Sequence, residues 1–248
     1  MRLFLHQLRC EQLLFWRSRE AAFFIFGFPL LLFVLLGSVY SGRIDGYKAS
    51  SVLLVGMLGY GAANTAFAGT AISLVNRREY GILKRIRSTP LPAEVYLACV
   101  VVSSLLVFVL ESVAIVAVGR IFFGAHVPSH IPSLVLAVLL GTTVFASIGL
   151  AAAALIRSSE GSSAVVNFIL LPMAFLSGSF GPTRKYPHVL RAIGDVLPLK
   201  YFIDVVKAIY LGGHGLLARP GALGVLAAWT AGGMVVALRR FGWEPRER

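Results

Sequence analysis

The sequence predicts an all-α integral membrane protein, and three observations carry that prediction. Of its 248 residues, 57% are apolar or aromatic and 14% are charged, with a mean hydropathy of +0.81; soluble domains carry about 25% charged residues. The apolar residues gather in runs of about twenty, the length that crosses a bilayer as a helix. The 23 Lys and Arg residues lie beside those runs rather than on one face. That is a topology pattern, and it argues against the nucleic-acid partner that a net charge of +12 would otherwise invite.

Taken in order, residues 1–20 predict an amphipathic helix lying in the headgroup plane. Phe4, Leu8 and Phe15 form a stripe flanked by Leu5 and Trp16, while Arg2, His6, Arg9 and Arg17 lie broadly opposite. A plain basic tail is the alternative. The mixture of charge and apolar groups there is unlike a cleavable signal. The first span is expected at 21–40, where lipid tolerates Pro29 as water would not. The second is expected at 51–75, with Gly56, Gly59, Gly61, Ala62, Ala63, Ala66 and Gly69 permitting close helix approach. The third follows at 95–118, the fourth at 134–156, the fifth at 164–180 and the sixth at 220–238. Residues 181–219 are too polar to cross alone. Their helical spacing falls in two pieces broken at Pro198, which predicts an external re-entrant hairpin before the last span.

Orientation follows from the basic residues. With both termini in the cytoplasm, the inner segments 1–20, 76–94, 157–163 and 239–248 hold fourteen, whereas the short outer loops 41–50 and 119–133 hold three. The long outer segment 181–219 holds six, against the trend.

Residues 76–92, NRREYGILKRIRSTPLP, place five cations between two apolar runs. A helix capped near Asn76, with Glu79 early and Lys84, Arg85 and Arg87 late, follows the helix-dipole preference. Pro90 ends it, because a residue before proline is pushed out of the helical region. From charge alone, this loop is either a docking knob or a positive-inside anchor.

Four stretches, taken together, resemble the ABC-2 family of ATP-binding-cassette transporter permeases. They are REYGILKRIRSTPL (78–91), LPMAFLSGSFGP (171–182), LPLKYFIDVVK (197–207) and the N-terminal amphipathic segment. Lys207 departs from the arginine usual there, keeping the charge but losing the planar fork. The resemblance implies a single transmembrane domain over 1–248 in the plasma (inner) membrane and no catalytic residues of its own. It also implies a separate ATPase subunit holding ATP and magnesium, and a second permease copy, identical or related. The chain itself lacks G-x-x-x-x-G-K-[ST]. The resemblance makes 76–92 the coupling loop, with Glu79, Gly81 and Pro90 in the family's positions and Arg78, Glu79, Gly81, Lys84, Arg85 and Pro90 as the expected ATPase-coupling residues.

It also places the second and fifth helices beside the substrate path. Asn64, Phe67, Phe168, Phe175 and Ser177 are candidates to line it, as are Thr65, Thr70 and Asn167, with ordinary helix–helix hydrogen bonding the competing role. Such a path suits an amphiphilic drug-like, lipid-like or glycan cargo. Pro172 breaks one backbone bond in the fifth span and marks either a hinge or a static kink. Glu111 is the one carboxylate deep inside a span. Intramembrane charges are costly and often functional, so a proton-coupled secondary transporter using Glu111 is the alternative function. That class predicts inverted repeats, which the two halves do not show convincingly. Cys10 and Cys99 suggest no disulfide, and His126, His130 and His188 have no metal-ligand spacing.

Overall fold

A computed structural model describes residues 2–40, 42–44, 46–125, 128, 130–184 and 186–244; His126 lies outside them. Among the described residues, five helices are long and apolar enough to cross a membrane: Arg19–Val39, Ala49–Glu79, Ala93–Phe123, Ile131–Leu155 and Pro220–Arg240. Each overlaps an expected span. The second and third run for 31 residues, about 46 Å at 1.5 Å per residue, and so overshoot a hydrocarbon core of about 30 Å. The second therefore carries its polar last turn, including Arg77 and Arg78, beyond the apolar zone without breaking. The fifth expected span is shorter than its apolar run. Its helix, Ser162–Leu176, has 15 residues and ends in turns over Ser177–Phe180; at about 22 Å it does not cross a full core alone.

The second span is the axis of the bundle. Almost every residue from Ala49 to Ala68 is buried, and its small side chains let neighbours close on it from all sides. A methyl added to Gly61 would come within 2.5 Å of Glu111 Oε1, so only glycine lets the third span approach there. The first span, by contrast, is peripheral. It buries Pro29, Phe33 and Gly37 and leaves Phe24, Leu31 and Leu35 exposed. The last span packs along the fourth through Leu226, Gly233 and Ala237.

The segment before the last span is helical in two pieces, His188–Gly194 and Pro198–Tyr210, with the break where Pro198 predicts it. The second piece buries Phe202, Val205, Val206 and Ile209 against the second, fourth and last spans. A two-stranded hairpin, Arg43–Ile44 with Tyr47–Lys48, joins the first two spans at the same end of the bundle.

Both the first and second spans contain a wide π turn, Phe23–Gly27 and Ala63–Gly69, and the two turns touch. Pro29 explains one side of this meeting. It has no N–H, so position 29 offers no bond to Ile25 O four residues back or Phe24 O five back. Asn64 Nδ2 supplies the missing donor, reaching Phe24 O at 3.0 Å and Ile25 O at 3.3 Å. Asn64→Leu is expected to cost about 1–3 kcal/mol by leaving those carbonyls unpaired. Pro29→Ala in the same chain should recover much of that loss by restoring a helical N–H. Thermal melting of the two variants in detergent tests the pair; equal loss with and without Pro29 removes the explanation.

Candidate functional site

A cavity of about 840 Å³ opens beside the paired π turns, within the range of sites for drug-sized ligands. Its walls come from the N-terminal helix Arg2–Arg17, the first three spans and the Ser162–Leu176 helix. Phe24, Ile25, Phe28 and Leu171 make one part apolar, while Glu11, Asn76, Arg77 and Tyr80 make the basic-loop end polar.

That polar end is tied together by an ion pair between a buried Glu11 and a partly buried Arg77. Arg77 meets Glu11 with both nitrogens, Nη2 to Oε2 at 2.7 Å and Nη1 to Oε1 at 2.8 Å, and Nη1 also donates to Tyr96 OH at 2.7 Å. Two-pronged charge-assisted contacts of this kind are the strong ones. Gln12 Nε2 adds bonds to Ser103 Oγ at 2.9 Å and Ser103 O at 3.0 Å. The N-terminal helix is therefore docked on the third span by polar contacts. The expected lipid-facing stripe of Phe4, Leu8 and Phe15 is half-buried instead, while Leu5, Leu13 and Leu14 are exposed. The signal was present in the sequence: Glu11 is the single acid in an otherwise basic helix.

The basic loop differs from its expected form in three ways. Asn76 caps nothing, because the second-span helix continues through it to Glu79. Glu79 thus closes one helix rather than opening the next. The break falls at Gly81, whose φ of 69° is left-handed and suits glycine, and a six-residue helix Ile82–Arg87 follows. Leu83 is fully buried with Leu74, Val75, Tyr96 and Leu150, while Lys84, Arg85, Arg87 and Pro90 are exposed.

Arg78 is not on that exposed surface. It is 1% exposed, donates from Nη1 to Ala153 O at 2.7 Å and from Nη2 to Ile156 O. The fourth span ends at Leu155, and the last carbonyls of a helix have no partner within it. Arg78 caps them from another helix.

Of the predicted path residues, Asn64 lines the cavity, as do Thr65, Thr70 and Asn167. Phe67 does not. It is 1% exposed and covered by the fourth span, which closes on its backbone at Gly149. Phe168 is 80% exposed on the outside of its helix, and Phe175 is half-exposed, its ring centroid 4.7 Å from that of Phe180. Ser177 is buried at the helix end. Pro172 sits inside an uninterrupted helix. Glu111 is wholly buried behind the cavity wall; its Oε2 accepts from Thr65 Oγ1 at 2.7 Å, and Oε1 has no hydrogen-bond partner among the described residues. No group of His, Cys, Asp or Glu among the described residues is arranged to hold a metal ion.

Known proteins resemble this chain in the same terms. The inner membrane transport permease YhhJ of Escherichia coli (strain K12) is 28% identical over 174 residues, 69% of this chain and 46% of that protein. The match thus spans about half the length of that relative. The inner membrane transport permease YadH of the same organism is 21% identical over 185 residues, 73% of this chain and 72% of the relative. Residues 2–211 match the family model of the ABC-2 type transporter, and with several membrane-crossing helices around an amphipathic cavity, the chain belongs to that family as a multi-pass membrane permease.

Proposed function

We propose that this chain is the transmembrane subunit of an ATP-driven exporter. Two permeases, identical or related, pair with separate ATPase subunits that bind ATP and magnesium and carry out the hydrolysis. Both termini and the Ile82–Arg87 helix then face the cytoplasm, where the six-span assignment completes the crossing with the Ser162–Leu176 helix and the outer segment.

The observation that carries this reading is the form of the basic helix. It presents Lys84, Arg85 and Arg87 to solvent while Leu83 is sunk among side chains of the second, third and fourth spans. A push on such a knob moves the spans rather than bending a loop. Just beside it, Arg77 anchors the N-terminal helix through Glu11 at the polar end of the cavity, so force has a short path to the cavity wall. A cavity polar at one end and apolar further in supports an amphiphilic cargo, drug-like, lipid-like or glycan-bearing, with its head toward the cytoplasmic side. Co-purification from native membranes tests the partnership. An ATPase with Walker motifs should travel with the chain, and transport by the chain alone would overturn the proposal.

Glu111 separates this function from proton-coupled transport. Its carboxyl serves as a packing group between the second and third spans, held by Thr65, so Glu111→Gln is expected to keep at least half of wild-type export. Loss of export with ATPase activity intact would return Glu111 to a proton-carrying role.

A further inference from the structure

A second cavity, of about 520 Å³, lies at the opposite end of the bundle from the basic helix. Among the described residues, its lining brings together Arg184, Lys207, His214 and Arg219, the Tyr47 phenol and one carboxylate, Asp204. These groups arrive from four separate parts of the chain. Tyr47 belongs to the hairpin after the first span, Arg184 follows the Ser162–Leu176 helix, Asp204 and Lys207 lie on Pro198–Tyr210, and Arg219 immediately precedes the last span.

We propose that this cavity binds a phosphate-class anion, either a lipid phosphate headgroup or free phosphate.

Three features distinguish the cluster from ordinary solvated cations. First, segment 181–219 holds six of the chain's Lys and Arg residues on the side that membrane topology leaves poor in them, and three of the six converge here. Second, Arg219 stands at the N-cap of the 21-residue last span, where the helix dipole is positive and disfavours a cation; an anion seated there is favoured by both. Third, the turn that ends Pro198–Tyr210 is closed by backbone hydrogen bonds, which fix where its side chains stand. Lys207 O accepts from the amides of Leu211 at 3.0 Å and Gly212 at 3.3 Å, and Ala208 O accepts from His214 at 3.1 Å. That turn also brings His214 back beside Lys207. Burial holds the Asp204 carboxyl above its ordinary range against the pull of Lys200, Arg219 and Lys207. The lining of this cavity is more polar than that of the larger one, with Leu211, Ala208 and Ala218 as its apolar side chains, and it suits a polar group rather than a long tail.

Calorimetry on the purified full-length chain in a neutral maltoside detergent tests the site, whether or not the chain transports. The probes are inorganic phosphate, dihexanoyl phosphatidylglycerol and, as the zwitterionic control, dihexanoyl phosphatidylcholine. Binding of phosphatidylglycerol without phosphate assigns the site to a lipid headgroup; binding of phosphate with similar affinity assigns it to a free anion. In either case, the double variant Lys207→Gln, Arg219→Gln should bind about tenfold or more weakly, because charge-assisted contacts are lost. Asp204→Asn should bind several-fold more tightly, a gain that a misfolded chain cannot give. Arg239→Gln, at the far end of the last span, should bind as wild type. Failure of both anions to bind, equal binding of phosphatidylcholine, or unchanged affinity in the double variant overturns the proposal.

Discussion

Arg78→Ala is expected to destabilise the folded chain by about 3–5 kcal/mol, because it strips two charge-assisted hydrogen bonds from a buried site. The guanidinium holds Ala153 O and Ile156 O at the end of the fourth span, where the helix dipole is negative and the carbonyls are otherwise unpaired. Alanine leaves those carbonyls orphaned and a void where the side chain packed. Lysine restores the charge but not the fork, and reaches one carbonyl at best, so Arg78→Lys should fall between the two. Melting in detergent is the direct measurement. For a chain of this size the loss corresponds to a midpoint lower by roughly 10 °C for alanine, with a smaller drop for lysine. The same experiment decides between two roles. If Arg78→Ala melts like wild type yet no longer holds an ATPase, Arg78 belongs to the docking surface after all.

Arg78 also shows where sequence stops being informative. In the string NRRE, nothing separates a solvated arginine from a buried one. What decides is the end of a helix 75 residues further on, and that proximity exists only in three dimensions. The Asn64–Pro29 pair is hidden for the same reason: a proline inside a span announces an unpaired carbonyl but not the side chain that repairs it. Asn76 misled differently. Its residue type suits an N-cap, yet the helix passes through it, because a helix already launched through the membrane needs no new start and stops only where Gly81 allows a left-handed turn. The crossing helices themselves were legible, since lipid requires long apolar helices and leaves few alternatives. The expected fifth span runs past the end of the Ser162–Leu176 helix because the apolar run continues into turns that Gly178 and Gly181 shape with positive φ. Of the cavity, the small-residue second span pointed to a wall, but the N-terminal helix did not, since its Glu11 makes sense only opposite Arg77.

Reversing the charge of the exposed knob, with Lys84→Glu, Arg85→Glu and Arg87→Glu combined, is expected to abolish export and weaken ATPase association a hundredfold or more. Like-charge contacts across an interface cost several kcal/mol, and each 1.4 kcal/mol is a tenfold change. The chain itself should be unaffected, because all three side chains are exposed, and surface substitutions of this kind usually shift stability by about 0.5 kcal/mol or less. Fold and docking are therefore separable here in a way that they are not at Arg78. Leu83→Ala provides the opposite control. It leaves every surface charge in place but removes the buried anchor among Leu74, Tyr96 and Leu150, at a cost of about 2–5 kcal/mol. If the helix works as a lever, the charge-reversed chain should reach the membrane in normal amount and fail to retain the ATPase. The Leu83 variant should retain the ATPase but stimulate and export poorly, since a knob that can rock in its socket no longer passes the push to the cavity wall. Normal retention by the charge-reversed chain would reduce the cations to topology markers, and normal export by the Leu83 variant would show that no force travels through its socket.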